Sequence, residues 1–302
     1  MDEEAMEAMR QIMRSQAAFA GMEVLTYCFL ANHFHIFVRL DPKETENLDD
    51  ASLVRRFRAL YGATRCASVG LKAEELEVIL AKNRNSAEGI RRRLKARMSE
   101  VSVFMREVKT RFTLWYNRKH GTVGTFWAER FRSVVVEADT EAQRMVAAYI
   151  DLNPVRAGLV EEAADYTFSG FGEACAGESA ARRGIARVEG KPSWTTQWHE
   201  RYRARLCSRM GPGERPRRLA DQRPSGEAEG KDRQGVGVTE GSRLLSKIRA
   251  FSESWVVGSF AWVESFCAAN GWLGYRRGRK AKAVVEAGGA DSEAIVSAVK
   301  RH

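Results

Sequence analysis

Residues 27–40 read YCFLANHFHIFVRL, an apolar stretch broken by His33 and His35, two of the chain's five histidines. In a strand, residues two apart point to the same face, so these imidazoles project together while Phe34 and Ile36 face the opposite layer. Two readings follow from the residues alone. The pair is a metal half-site, or it is one packed core histidine beside a second at a strand end. The flanks settle the local structure: MEVLTYCFL (22–30) and FHIFVRL (34–40) are rich in β-branched and aromatic residues. The Ala31-Asn32-His33 link is short enough for a tight hairpin or kink.

Helices are expected on both sides of these strands. Met6, Met9, Met13 and Phe19 recur at helical spacing over 3–20, and Gly21 is a natural stop. The polar 41–50 segment ends in Asp49 and Asp50, either of which caps a helix over 51–61. A long helical section follows over about 72–118, with Phe104, Val108, Phe112 and Trp115 as its core-facing stripe. RSVVVE (132–137) reads as a strand, and Asp139 or Thr140 caps a helix over 141–152. That helix should end before Pro154, because proline disfavours helical geometry at the residue preceding it. From 209 to 241 the chain is rich in glycine, proline and charge, as a flexible linker is. Residues 242–302 read as a small helical unit with the basic run YRRGRKAK (275–282).

The chain of 302 residues carries a net charge of +10 and a pI near 9.5. Such an excess favours a polyanionic partner, nucleic acid first and an anionic membrane second. The basic residues cluster: 81–120 holds 12 Lys/Arg against 3 Glu. Five widely spaced cysteines without a CxxC pair point to reduced thiols rather than a disulfide framework. The acidic start MDEEAMEAMRQ lacks the pattern of a secretory signal, and no apolar run is long enough to span a membrane. A cytoplasmic protein with no membrane partner is expected.

Two further stretches carry chemistry. In AAYIDLNPVRAGLV (147–160), Tyr149 and Asn153 lie one helical turn apart on one face. They are a nucleophile beside a metal ligand, or a packed ring beside a helix-closing carboxamide. In GTVGTFWAERFRSVVVE (121–137), aromatics interleave with Arg130 and Arg132. The rings stack on unpaired bases there, or they are core.

Taken in order, YCFLANHFHIFVRL, GTFWAERFRSVVVE and AAYIDLNPVRAGLV resemble the single-tyrosine HUH transposases, specifically the REP-associated tyrosine transposase group. The resemblance covers about residues 5–175. It implies an α+β fold with a ferredoxin-like antiparallel sheet and helices on one face. His33 and His35 would hold Mg²⁺ or Mn²⁺, Asn153 would complete the metal shell, and Tyr149 would be the nucleophile. The implied activity is DNA transposition through a single-strand endonuclease and strand-transferase step that leaves a 5′-phosphotyrosine. The DNA would be single-stranded, with a hairpin or palindromic repeat. Arg91, Arg92, Arg93, Lys95, Arg111, Arg118, Lys119, Arg130 and Arg132 would contact it, chiefly through phosphates.

The expected organisation is a nuclease domain over 1–175 with a helical insertion at 41–118, an irregular region and linker over 176–241, and the helical basic region 242–302. One departure stands out. The family begins with a central β-strand before its first helix, and here the residues preceding 22 read as the helix alone. Either the true start lies upstream, a different strand fills the place beside the histidine strand, or the copy is decayed. The competing readings are a noncatalytic nucleic-acid-binding protein and, less well supported, a histidine-based metal hydrolase, for which no third ligand sits at a recognisable spacing.

Overall fold

α1 (Glu3–Ala20) forms where the methionine spacing puts it. The Asp2 side chain accepts the Ala5 N–H at 2.8 Å, and Gly21 closes the helix at φ 69°. Met9, Met13, Ala17 and Phe19 are buried along one face. The computed structural model describes residues 1–82, 84–128, 130–209, 255–269 and 294–301. They make an α+β protein, with twelve α-helices among the described residues. The chain divides into two compact units. One comprises 1–24, 31–131 and 293–302; the other comprises 25–30 and 132–292. The longer segment of the second unit begins at residue 132. The chain passes between the units within β1 (Met22–Phe29).

In the first unit the histidine strand is β2 (His33–Leu40). It pairs antiparallel with β5 (Ala294–Arg301), from His33 opposite Arg301 to Arg39 opposite Ile295. A strand from the other end of the chain thus supplies main-chain partners to β2. Residues 242–302 are therefore not purely helical. The 275–282 basic run and residues 210–241 of the expected 209–241 linker lie outside the described residues.

The helical section expected over 72–118 comprises three helices: α4 (Ala73–Lys82), α5 (Arg84–Lys95) and α6 (Val101–His120). They are preceded by α2 (Pro42–Glu46) and α3 (Asp50–Tyr61), the latter capped by Asp49. Leu53, Phe57, Leu76, Leu80, Ile90 and Leu94 bury together with Phe19 of α1, so the insertion has a core of its own fused to the first helix. Trp127 belongs to the same unit. Its indole N–H donates to the Lys109 carbonyl at 3.0 Å, and its ring meets Phe34 edge-on at 5.4 Å. Of the two readings of the 121–137 aromatics, Trp127 takes the core one.

Arg97 ties this unit together. Its guanidinium donates to both Glu107 carboxylate oxygens at 2.7 and 2.6 Å and to the Tyr61 hydroxyl at 2.6 Å, and it lies 4.9 Å from the Phe19 ring. Gln16 of α1 donates to the same carboxylate at 3.0 Å. Arg97→Met would keep most of the volume and leave Glu107, 16% exposed, without its counter-charge. The expected cost is about 2–4 kcal/mol in urea unfolding, with part recovered by adding Glu107→Gln. A loss under about 0.5 kcal/mol would show the network to be dispensable.

The second unit holds β3 (Arg132–Glu137), α7 (Glu141–Asp151) and α8 (Asn153–Arg156), with Pro154 in the first turn of α8, where its missing N–H costs nothing. The 176–209 segment, expected to be irregular, is helical. α9 (Gly170–Ala176) leads into α10 (Ser179–Val188) and α11 (Thr196–Arg209). Few apolar residues mark α11, but Tyr202 and Leu206, one turn apart, are both buried. Buried Gln143 bonds the Arg187 and Val188 carbonyls at 3.1 Å, fixing α7 to the end of α10. β4 (Trp255–Val257) pairs parallel with β3, and Ser259 before α12 (Phe260–Ala269) donates to the buried Glu137 carboxylate.

Candidate functional site

His33 and His35 occupy alternate positions at the start of β2, with ring centroids 5.2 Å apart and planes at 89°. Two imidazoles on one cation at metal–nitrogen distances of about 2.1 Å would have centroids about 5 Å apart, so the spacing fits a shared ion. His33 is half-buried, and its Nδ1 lies 2.7 Å from Asn32 Oδ1. His35 is 3% exposed. Among the described residues no group of three or more His, Cys, Asp or Glu converges.

Tyr149 and Asn153 lie in the second unit, at the junction of α7 and α8. Asn153 Nδ2 donates to the Tyr149 and Ile150 carbonyls at 2.9 and 3.2 Å. The carboxamide closes the helix, as the plainer reading of the sequence had it. With its nitrogen so committed, Oδ1 is the donor it would offer to a cation. Arg156, which sequence reasoning passed over, places its guanidinium 5.1 Å from the centre of the half-buried Tyr149 ring, and its Nη1 reaches the Tyr149 carbonyl at 3.4 Å. The motif VRAG after Pro154 was the signal available for it.

Asp151, between the two, was also missed. It is fully buried, accepting from the Thr26 hydroxyl at 2.6 Å and the Tyr202 hydroxyl at 2.6 Å. Burial drives its pKa up to about 7, although those hydroxyls and the Phe171 main-chain amide work against the rise. Gly170 sits where a Cβ would come within 2.3 Å of Thr26 Oγ1, so α9 approaches the strand as only glycine permits. These contacts anchor the Tyr149 helix to strand residues 25–30 and to α11.

The nine expected DNA-contacting cations differ in availability. Arg92, Arg93, Arg118, Arg130 and Arg132 are exposed. Arg91 is engaged by both oxygens of Asp50 at 2.7 and 2.6 Å, Lys95 by the Glu46 carbonyl at 3.0 Å, and Lys119 by Glu4. Arg111 lies 5.2 Å over the Tyr61 ring. Part of the positive charge is thus spent inside the fold. No described helix is long and apolar enough to cross a membrane. Comparison of the chain with protein families, curated proteins and solved structures found no match.

Proposed function

We propose that this protein is a metal-dependent single-strand DNA endonuclease and strand-transferase of the single-tyrosine HUH transposase type, acting in the cytoplasm on DNA that carries a hairpin or repeat. The observation that carries the reading is the histidine pair: two rings at metal-sharing distance, one of them in polar contact with Asn32. The neighbour that β5 gives to β2 supports a ferredoxin-like sheet around that pair. Its antiparallel direction is the one the family's first strand takes beside the histidine strand.

His33, His35 and, as the resemblance implies, Asn153 would hold Mg²⁺ or Mn²⁺. When bound, such an ion supplies polarisation of a non-bridging phosphate oxygen. Two neutral imidazoles and a carboxamide are weak ligands for so hard a cation, so substrate oxygens would finish the shell and couple metal to DNA binding. The Tyr149 phenolic oxygen attacks phosphorus in line. The P–O3′ bond breaks, a phosphotyrosine forms on the 5′ side, and the departing 3′ oxygen ends as a hydroxyl carrying the proton the phenol gives up. The diester count is conserved, so a different 3′-hydroxyl can later displace the tyrosine and rejoin the strand. Exposed Arg92, Arg93, Arg118, Arg130 and Arg132 would hold flanking phosphates.

The test is a labelled hairpin-bearing single strand with Mn²⁺, scored for a denaturation-resistant adduct whose modified peptide contains residue 149. Binding without an adduct would favour a noncatalytic nucleic-acid-binding protein. Turnover without one would favour a hydrolase.

A further inference from the structure

The helices at 179–209 carry a surface that the proposed chemistry leaves unused. Trp194 and Trp198 are half-buried on either side of the start of α11. Lys191 Nζ lies 4.3 Å and Arg201 Cζ 4.6 Å from the Trp198 ring centre, and Arg182 Cζ lies 5.8 Å from that of Trp194. Trp194 is also stacked on His199 at 5.4 Å and 27°, and Cys175 holds that imidazole in turn, its Sγ 3.4 Å from Nε2. Arg182 is steadied by a 2.9 Å bond from Nε to the Ala174 carbonyl. Each indole is thus set beside its own cations by packing within one unit, four residues from the other in the chain. Over residues 182–203 there are 6 Lys/Arg against 2 Glu. Of the six, Arg203 is paired with Glu162; of the acids, Glu189 is buried against Arg205.

We propose that this face is a separate binding site for an unpaired nucleic-acid strand. Indole faces and guanidinium planes both accept stacked bases, and the ammonium and guanidinium groups beside them match the phosphates that follow each base. A duplex hides its base faces and has no use for the rings. An anionic membrane would require an apolar face to insert, whereas the neighbours here are exposed and mostly polar: Ser193, Thr195, Thr196 and Gln197. The site needs neither metal nor Tyr149, so it stands or falls independently of the strand-transfer reading.

The experiment is fluorescence anisotropy with the full chain in chelator, using oligothymidylate and oligouridylate of about 16 nucleotides, a blunt duplex, and phosphatidylserine vesicles. Trp194→Ala/Trp198→Ala is expected to weaken both single strands roughly tenfold, with duplex affinity moving less than about threefold. Trp198→Phe is expected to keep most of the affinity. Lys191→Gln/Arg201→Gln, which leaves both indoles in place, is expected to weaken single-strand binding and flatten its salt dependence. A weakening confined to one sugar type would identify the strand as DNA or RNA. Single-strand affinity within about twofold of wild type in both double variants, equal loss for duplex and single strand, or saturable binding to vesicles alone would each overturn the proposal.

Discussion

Tyr149→Phe is expected to reduce the covalent adduct to background, a loss on the order of a thousandfold or more, while hairpin-DNA affinity changes less than about twofold. The size follows from the chemistry, because phenylalanine offers no oxygen to phosphorus. The specificity follows from the surroundings. The ring stays beside the Arg156 guanidinium, and the main-chain carbonyl of residue 149 still accepts from Asn153 and Arg156, so α7 and its junction with α8 should persist. Asn153→Ala makes the contrast. It removes two hydrogen bonds to helix-end carbonyls and is expected to lower stability by about 1–2 kcal/mol as well as activity. Adducts are read on denaturing gels and stability by urea unfolding. An adduct that survives Tyr149→Phe would sink the assignment of Tyr149, whatever the protein does to DNA.

The parts of this fold that are legible in the sequence are those in which local pattern and tertiary contact ask for the same thing. α1 ends at Gly21, where the methionine period stops, and β2 follows its β-branched and aromatic run. β3 coincides with RSVVVE. Asp49 caps α3 as its position before an apolar-periodic segment predicts. What escapes notice is set by distant partners. The stretch AIVSAVKR is short and could serve several structures; it is a strand paired with β2, more than 250 residues earlier in the chain. α11 is polar along most of its length, and its tie to the core rests on Tyr202 reaching Asp151, 51 residues away.

The site divides in the same way. Histidine alternation and the Tyr149–Asn153 spacing are local and can be read directly. Asn32 as the partner of His33 is adjacent in sequence and still unread, because a carboxamide in a turn has many commoner uses. The burial of Asp151 depends on Thr26, 125 residues away, and no window of sequence contains both. Charge is the least legible of all. Arg91, Lys95 and Lys119 count towards the +10, and each has a partner within the fold.

Asp151 is where burial has its largest expected effect on stability. In chelator, the protein's stability is expected to fall between about pH 4 and pH 8, and Asp151→Asn is expected to remove much of that slope. The carboxyl has a pKa of about 7 when folded, against about 3.9 in an unfolded chain. The folded state therefore holds its proton more tightly. Below about pH 4 both states are protonated and the contribution is complete. Between the two values the unfolded chain ionises while the folded one does not, so stability drains away. Above about 7 both are ionised and the contribution is gone, a swing on the order of 4 kcal/mol. The ionisable neighbours do not offset this. Burial holds the Cys28 thiol, the Cys175 thiol and the Tyr202 phenol above their ordinary values, so all three stay neutral through this range and none offers a positive charge. Asparagine keeps an oxygen for Thr26 and an N–H for the Tyr202 oxygen, and it cannot ionise. The variant should equal or trail the wild type at pH 5 and exceed it at pH 8. Asp151→Ala, which leaves two buried hydroxyls unpaired, should be weaker at pH 5 by about 2–4 kcal/mol. Urea unfolding curves for the three proteins at pH 5 and pH 8 decide the matter: parallel pH dependences in wild type and Asp151→Asn would mean that the buried carboxyl does not titrate in this window.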